Sequence, residues 1–359
     1  MDPQEQKEVI IGPAIVAGAN AMRALDAPVR YPLTLKNFDL MIQRQVASDP
    51  IRYIYVPDPV LVPSRSIFIV LIEHLIGTIL VLLLLFSRKA SSTLKSQIST
   101  FDRRDWISFF LMSAGSGLGL FFFMIAFSHG SPTIAILLQK SQPFITLLFA
   151  MVVLQERPSK WFYFSLLVAI FGIYLMIFET FGSGSTDELM AAVFSLVAAI
   201  FWGSNTVWGR ILTEKVDYWN LTTLRYIGGS AILIVVNLLV GAYNPDNFGV
   251  LSETIITFGS DFAIPINALV AIALVTIFTG GIFPLALYYY GLRWSRASVG
   301  GIAELAFPIL AIFVNFYFLG FGLTEMQIVG AIILFIIVSL MSYINKIEHE
   351  QSTIDTTSA

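Results

Sequence analysis

Four ionisable side chains stand within stretches that are otherwise apolar. They are Glu73 in IFIVLIEHLIGTILVLLLL, Lys140 in TIAILLQKSQPFITLLFAMVV, Arg225 in LTTLRYIGGSAILIVV and Glu304 in GGIAELAFPILAIFVNFYF. A charge inside a long apolar segment is costly; it persists where it is paired, hydrogen-bonded or facing a water-filled cavity. Two readings stay open for the set. The charges form two buried pairs, Glu73 with Lys140 and Arg225 with Glu304, that neutralise one another and touch no ligand. Alternatively they line a path for a polar solute and re-pair as that path opens. On the second reading, Glu73 or Glu304 is the group that would carry a coupling proton.

Their neighbours extend the polar set. His74 follows Glu73, but successive helix positions point about 100° apart, so the two need not share a face. His74 is either a hydrogen-bonded interior residue or a proton relay. Gln139 and Gln142 are three apart and share a helix face, with Lys140 beside it. Pro143 follows and removes a backbone hydrogen bond near Gln139; Pro308 stands in the corresponding place after Glu304. A locally opened helix occurs at transporter binding sites and also as a plain kink. Asn20 and Asn205 either bridge helices or bind a ligand. Trp202, Tyr226 and Tyr288–Tyr290 supply aromatic walls or packing. Gly115, Gly117 and Gly119, with Ser113 and Ser116, make a small-residue face suited to close helix packing or to leaving room for a solute. The GSGLG run has no following Lys-Ser/Thr, so it is not a phosphate loop.

The elements that must position these residues are membrane spans. Of 359 residues, 56% are hydrophobic and only 13% charged, where a soluble domain has about a quarter. Mean hydropathy is +0.78, and there are 30 Phe and 6 Trp. This excludes an ordinary soluble enzyme. A net charge of −3 is too small to steer nucleic acid. The chain has no Cys, so disulfides and thiolate chemistry are out. Three His make a His-based metal centre a poor fit, and no cofactor motif is present.

A crossing helix needs about 20 mostly apolar residues. Nine such runs are clear, at about 66–86, 106–127, 133–154, 161–181, 188–209, 219–241, 264–290, 298–319 and 324–345. A tenth, about 10–31, contains Pro13, Asn20, Arg23, Asp26 and Pro28. It reads as a span lining a polar interior, with an amphipathic surface segment as the alternative. The acidic start MDPQEQKEV does not read as a signal peptide.

Lys and Arg in the loops set orientation. With ten spans and the N-terminus inside, the inner segments collect Arg88, Lys89, Lys95, Arg103 and Arg104, then the pairs Arg157/Lys160, Arg210/Lys215 and Arg293/Arg296, with Lys7 and Lys346 at the ends. The last four outer loops hold none. The first outer segment, about 30–65, departs with Arg30, Lys36, Arg44, Arg52 and Arg65. Both termini are therefore expected on the cytoplasmic side.

The chain also repeats itself. At an offset of 165, Pro143 meets Pro308, and SPTIAILLQKSQPFITLLFAMVVL faces RASVGGIAELAFPILAIFVNFYFL. At an offset of 185, AGAN at 17–20 meets WGSN at 202–205. The halves are 1–182, with a polar insertion at about 32–65, and 187–346, followed by a polar tail at 347–359. Five spans per half is odd, so the second copy enters the membrane the other way up. Inverted repeats give secondary transporters two interconvertible facings around a midplane site.

The segments LLQKSQPFITLLFAMVVLQERPSKWFYFSLLVAIFGIYLMIF (137–178), AAIFWGSNTVWGR (198–210) and ASVGGIAELAFPILAIFVNFYFLGFGLTEMQIVGAII (297–333) resemble the drug/metabolite transporter superfamily, specifically its EamA-domain members. The resemblance covers nearly the whole chain as two copies. It implies a ten-helix fold, both termini inside, and transport of a small metabolite, often export. In the second copy Phe321 and Gly322 replace the Glu156 and Arg157 of the first.

The expectation is an all-α polytopic membrane protein with ten transmembrane helices as two inverted five-helix repeats, in a plasma (bacterial inner) membrane, as a monomer or homodimer. It works as a gradient-driven secondary transporter, an exporter by expectation, of a small metabolite such as an amino acid or related zwitterion or organic ion. A lipid-handling membrane enzyme or a channel-type subunit is the alternative. The expected path residues are Glu73, His74, Gln139, Lys140, Gln142, Trp202, Asn205, Arg225 and Glu304, with Pro143 and Pro308 opening their helices.

Overall fold

The computed structural model describes residues 11–26, 28–29, 63–87, 91–129, 135, 138–139, 141–155, 161–177, 186–252, 254–257, 264–294, 303–304, 306–319, 323–333, 335–337 and 340. Lys140, most of the polar insertion and the tail from 347 lie outside these residues, as do the side chains of Pro143 and Pro308. In chain order the helices are α1 (Gly12–Arg23), α2 (Pro63–Ser87), α3 (Ser91–Ile98), α4 (Arg103–His129), α5 (Gln142–Val153), α6 (Trp161–Ile177), α7 (Thr186–Leu212), α8 (Tyr218–Leu239), α9 (Pro245–Gly249), α10 (Ala268–Leu274), α11 (Ile282–Arg293) and α12 (Ala306–Leu319). A further apolar helix runs over Glu325–Ile337.

Among the described residues, five helical stretches are long and apolar enough to cross a bilayer: Arg65–Phe86, Arg103–Ala126, Leu189–Leu212, Tyr218–Leu239 and Ala268–Arg293. Phe110, Val152, Leu239, Phe316 and Tyr317 point outward and are exposed. Large apolar side chains exposed on membrane-length helices are what a lipid-facing surface requires.

The helix starts are written locally. Asp102 and Asp105 form a reciprocal capping box at α4: the Asp105 N–H donates to Asp102 Oδ1 (3.0 Å) and the Asp102 N–H to Asp105 Oδ2 (2.9 Å). Asp217 caps α8 by accepting from the N–H groups of Trp219 (3.0 Å) and Asn220 (3.1 Å). Pro143 sits in the first turn of α5, where its missing N–H costs nothing. The helix therefore starts after a turn on Ser141.

Two features depart from an unbroken helical bundle. The apolar run at 264–290 is not one helix. It begins as strand β2 (Ile264–Asn267), paired antiparallel with β1 (Thr254–Thr257). After α10 it passes through a π-turn, Val275–Thr279, in which the Gly280 N–H donates to Val275 O (2.8 Å), and it breaks at Gly281 before α11. Hydropathy does not see such a break, because the side chains stay apolar across it.

Helix packing follows a regular scheme. α4 lies along α7, and α11 along α1; α7 packs on α5, and α1 on α12; α8 meets both α2 and α4. Without a hydrophobic driving force between helices in lipid, close contact decides association. The small-residue face of α4 supplies it. A Cβ on Gly115 would lie 2.8 Å from Phe201 O, and one on Gly119 2.6 Å from Trp202 Nε1. The two larger apolar clusters among the described residues lie one around Phe68, Met124, Leu233 and Phe307, the other around Met112, Leu221, Tyr289 and Leu292.

Candidate functional site

Between the two clusters lies a cavity with roughly 890 Å³ of atom-free space, partly open to solvent. Leu120, Phe123 and Phe307 face it from the first cluster; Tyr226, Leu285 and Tyr288 face it from the second.

The structure brings Glu73, His74, Gln139, Gln142, Trp202, Asn205, Arg225 and Glu304 to this one cavity. All but Trp202 are buried. Asn20, Arg23 and Asp26 of the first helical segment line it too, together with Ser116, Thr206 and Gly280. Asn20 uses its amide within its own helix, donating to Val16 O (2.9 Å), and does not bridge helices through that bond.

Arg225 and Glu304 do not pair with each other. The Glu304 carboxylate accepts from neutral groups on three elements: Gln142 Nε2 on Oε2, and the hydroxyls of Tyr288 (3.0 Å) and Thr206 (3.3 Å) on Oε1. Gln142 is aimed by Gln139, whose Nε2 donates to Gln142 Oε1 (2.6 Å). The turn that starts α5 thus hands a two-glutamine relay to Glu304.

The Arg225 guanidinium is likewise held by neutral partners. Nε donates to Ser116 Oγ (2.9 Å) and Nη1 to the Tyr289 hydroxyl (3.1 Å). A guanidinium only donates, so the Asn205 amide presents its oxygen, 3.3 Å from both Nη1 and Nη2. Ser116 passes the contact on to His74. The ring's Nδ1 is 3.0 Å from Val70 O, a pure acceptor, so that nitrogen carries the proton; Nε2 is 3.4 Å from Ser116 Oγ. The reading of Arg225 and Glu304 as a mutually neutralising buried pair is therefore corrected. Each charge is solvated separately by hydroxyl and amide groups, because those dipoles reach it from several helices and the other charge does not.

Trp202 lies between these groups on α7. Its ring rests over Gly119, and Phe123 tilts against it with centroids 5.2 Å apart at 60°. Tyr226 is seated against Gly77, where a Cβ would overlap its ring. Ser116, Thr206 and Tyr289 are the polar partners that sequence reasoning did not single out as such. Ser and Thr are common in apolar helices. The available signal for Thr206 was its place four residues after Trp202, on the same face.

A second charged cluster lies at one end of α4, away from the cavity. Lys215, in the turn between α7 and α8, donates to Asp105 Oδ2 (2.5 Å) and Asp102 Oδ2 (3.3 Å). The Asp105 backbone N–H holds the Asp102 carboxyl below its usual range, and donation to Asp105 raises the Lys215 ammonium above its own. Asn220 ties in α3 by donating to Gln97 Oε1 (2.8 Å).

Known proteins place this arrangement. Residues 61–178 and 189–343 match the EamA-like transporter family. The riboflavin transporter ImpX of Fusobacterium nucleatum subsp. nucleatum is 30% identical over 292 residues, spanning 77% of this chain and 88% of that protein. A solved crystal structure covers 93% of this chain and 97% of its own at a TM-score of 0.56 and 13% identity, a likeness of fold alone. A pair of family matches covering most of the chain, on a bundle of membrane-length helices around a polar cavity, assigns the class: the chain belongs to the EamA-like transporter family and is an integral membrane transporter, not an enzyme.

Proposed function

We propose that the chain carries a planar, hydrogen-bonding heteroaromatic such as riboflavin across its membrane by gradient-driven alternating access. The observation that carries this reading is the cavity itself: aromatic walls from Phe123, Trp202, Tyr226 and Phe307 around two separately solvated charges, Arg225 and Glu304. A flat ring stacks on such walls, and its polar edge meets fixed donors and acceptors. A related protein named for riboflavin supports the same solute. Export of an amino acid would use the acid and the base but leave the aromatic walls idle.

The helix pairing supports two inverted five-helix halves. Exchange of the halves matches α4 on α7 with α11 on α1, and α7 on α5 with α1 on α12. On this scheme both termini are cytoplasmic, and a coupling proton would ride on Glu73 or Glu304.

Riboflavin counterflow in proteoliposomes tests the proposal, followed in both directions. The expected result is saturable exchange that falls at least tenfold in Arg225→Gln and Glu304→Gln. Absence of saturable exchange in the wild type refutes the flavin substrate. Flux that rises linearly with concentration would mark a channel instead.

A further inference from the structure

Of the ionisable residues that line the cavity (Arg23, Asp26, Glu73, Arg225 and Glu304), Arg225 and Glu304 are set apart in a regular way. α7 presents two consecutive residues to them, Asn205 to Arg225 and Thr206 to Glu304. α11 does the same with Tyr289 to Arg225 and Tyr288 to Glu304. Consecutive helix positions diverge by about 100°. Two separate helices thus hold the charges on opposite flanks of one space, with Trp202 on the α7 face between them.

The flanks differ in chemistry. Arg225 is a permanent cation with five N–H donors. Ser116, Tyr289 and the Asn205 oxygen engage at most four of them. This flank suits an acceptor-rich edge such as a row of ring carbonyls and ring nitrogens. At Glu304, the carboxylate takes its hydrogen bonds from one amide and two hydroxyls, and retains room among its four lone-pair sites. This flank suits a hydroxylated chain that can donate.

From this geometry we infer that the cavity binds its solute in one orientation, with the carbonyl edge of the ring at Arg225, the ring over Trp202, and the hydroxylated chain at Glu304. The inference rests on the flavin reading above and adds the assignment of each end. Arg225 and Glu304 determine specificity by contact; Tyr288 and Tyr289 are positioning residues that act through them.

The test compares riboflavin with lumiflavin, which has the same ring and a methyl group in place of the ribityl chain. Both are titrated by fluorescence quenching on the purified full-length protein. Charge-assisted hydrogen bonds set the scale. Arg225→Gln is expected to weaken both ligands by a similar factor, roughly ten- to a hundredfold. Glu304→Gln is expected to weaken riboflavin roughly tenfold or more while lumiflavin stays within about twofold. If either variant fails to fold, Tyr289→Phe and Tyr288→Phe must reproduce the same split at roughly three- to tenfold. A purely structural role of these residues would move both ligands together. Glu304→Gln or Tyr288→Phe weakening both ligands alike, or Arg225→Gln sparing lumiflavin, would overturn the orientation while leaving the flavin substrate in place. Failure of the wild type to bind either ligand would overturn the substrate and the orientation together.

Discussion

Gly119→Ala is a one-methyl change whose effect follows from a single distance. The added Cβ would lie 2.6 Å from Trp202 Nε1 and 2.7 Å from Cδ1, where ordinary contact begins at 3.4 Å. The indole must therefore retreat by about 0.8 Å, since overpacked side chains relieve strain by shifting. Phe123 stands against it at 5.2 Å between centroids, and the open direction is the cavity. Overpacking of this kind costs about 1–3 kcal/mol of stability. Stacking of a flat ring on an aromatic side chain contributes about 1–3 kcal/mol, and displacement of this size removes on the order of half of a close contact. The half-saturation concentration for riboflavin should then rise roughly two- to twelvefold. The assay is riboflavin counterflow beside tryptophan emission, which reports the shifted indole. Gly18→Ala is the control, because nothing lies within 4 Å of its added Cβ; there the helix should gain up to about 1 kcal/mol. Gly119→Ala with wild-type half-saturation and unchanged emission would refute the claim that the Trp202 ring forms the solute platform.

Three further outcomes are expected. Asp217→Ala removes the cap of α8 and should cost about 1 kcal/mol, read as a lower melting temperature in lipid nanodiscs; an unchanged melt would remove Asp217 from the helix start. The Lys215 cluster makes stability depend on pH at both ends. Asp102 has its carboxyl lowered from 3.8, so its contribution is complete above that value and is lost as pH falls below it; Lys215 is raised from 10.5, so its contribution is complete below that value and is lost as pH rises above it. Lys215→Met should lower the melting temperature at neutral pH and flatten the alkaline fall, and an unaltered alkaline limb would exclude this cluster as its source. The chain has no cysteine, so single replacements at the exposed Ser99 and Ser252 report sidedness directly. Ser99→Cys should react with an impermeant maleimide from the cytoplasmic side only, Ser252→Cys from the other side only; reversed labelling would invert the proposed orientation.

Much of the bundle was legible because lipid leaves few options. Arg65–Phe86 and Tyr218–Leu239 fall within two residues of the spans read from hydropathy, since only a helix satisfies backbone groups in hydrocarbon. The convergence of Glu73, His74, Gln139, Gln142, Trp202, Asn205, Arg225 and Glu304 on one cavity was legible for a related reason: polar side chains on apolar helices have an interior to face. Which group solvates which charge was not. Opposite charges invite pairing by count, yet Tyr288, Thr206 and Gln142 reach Glu304 from three elements whose crossing no spacing rule encodes. The π-turn at Val275–Thr279 and strand β2 were hidden because both fall inside the run at 264–290 that reads as apolar helix. Gly280 and Gly281 carried the one visible hint of the break.

The consecutive placement of Asn205 with Thr206, and of Tyr288 with Tyr289, bears on how such a protein can change over generations. A one-residue insertion or deletion upstream in α7 would turn every later position by about 100° and deliver a hydroxyl where an amide oxygen now sits. α11 would have to slip by the same step, in a different stretch of chain, for the two flanks to match again. Simultaneous length changes of that kind are rare, whereas a single codon change at Thr206 or Tyr289 alters one flank and leaves its neighbour alone. Descendants should therefore acquire new solutes by substitution within helices of constant length, and tolerated length variation should collect outside α7 and α11.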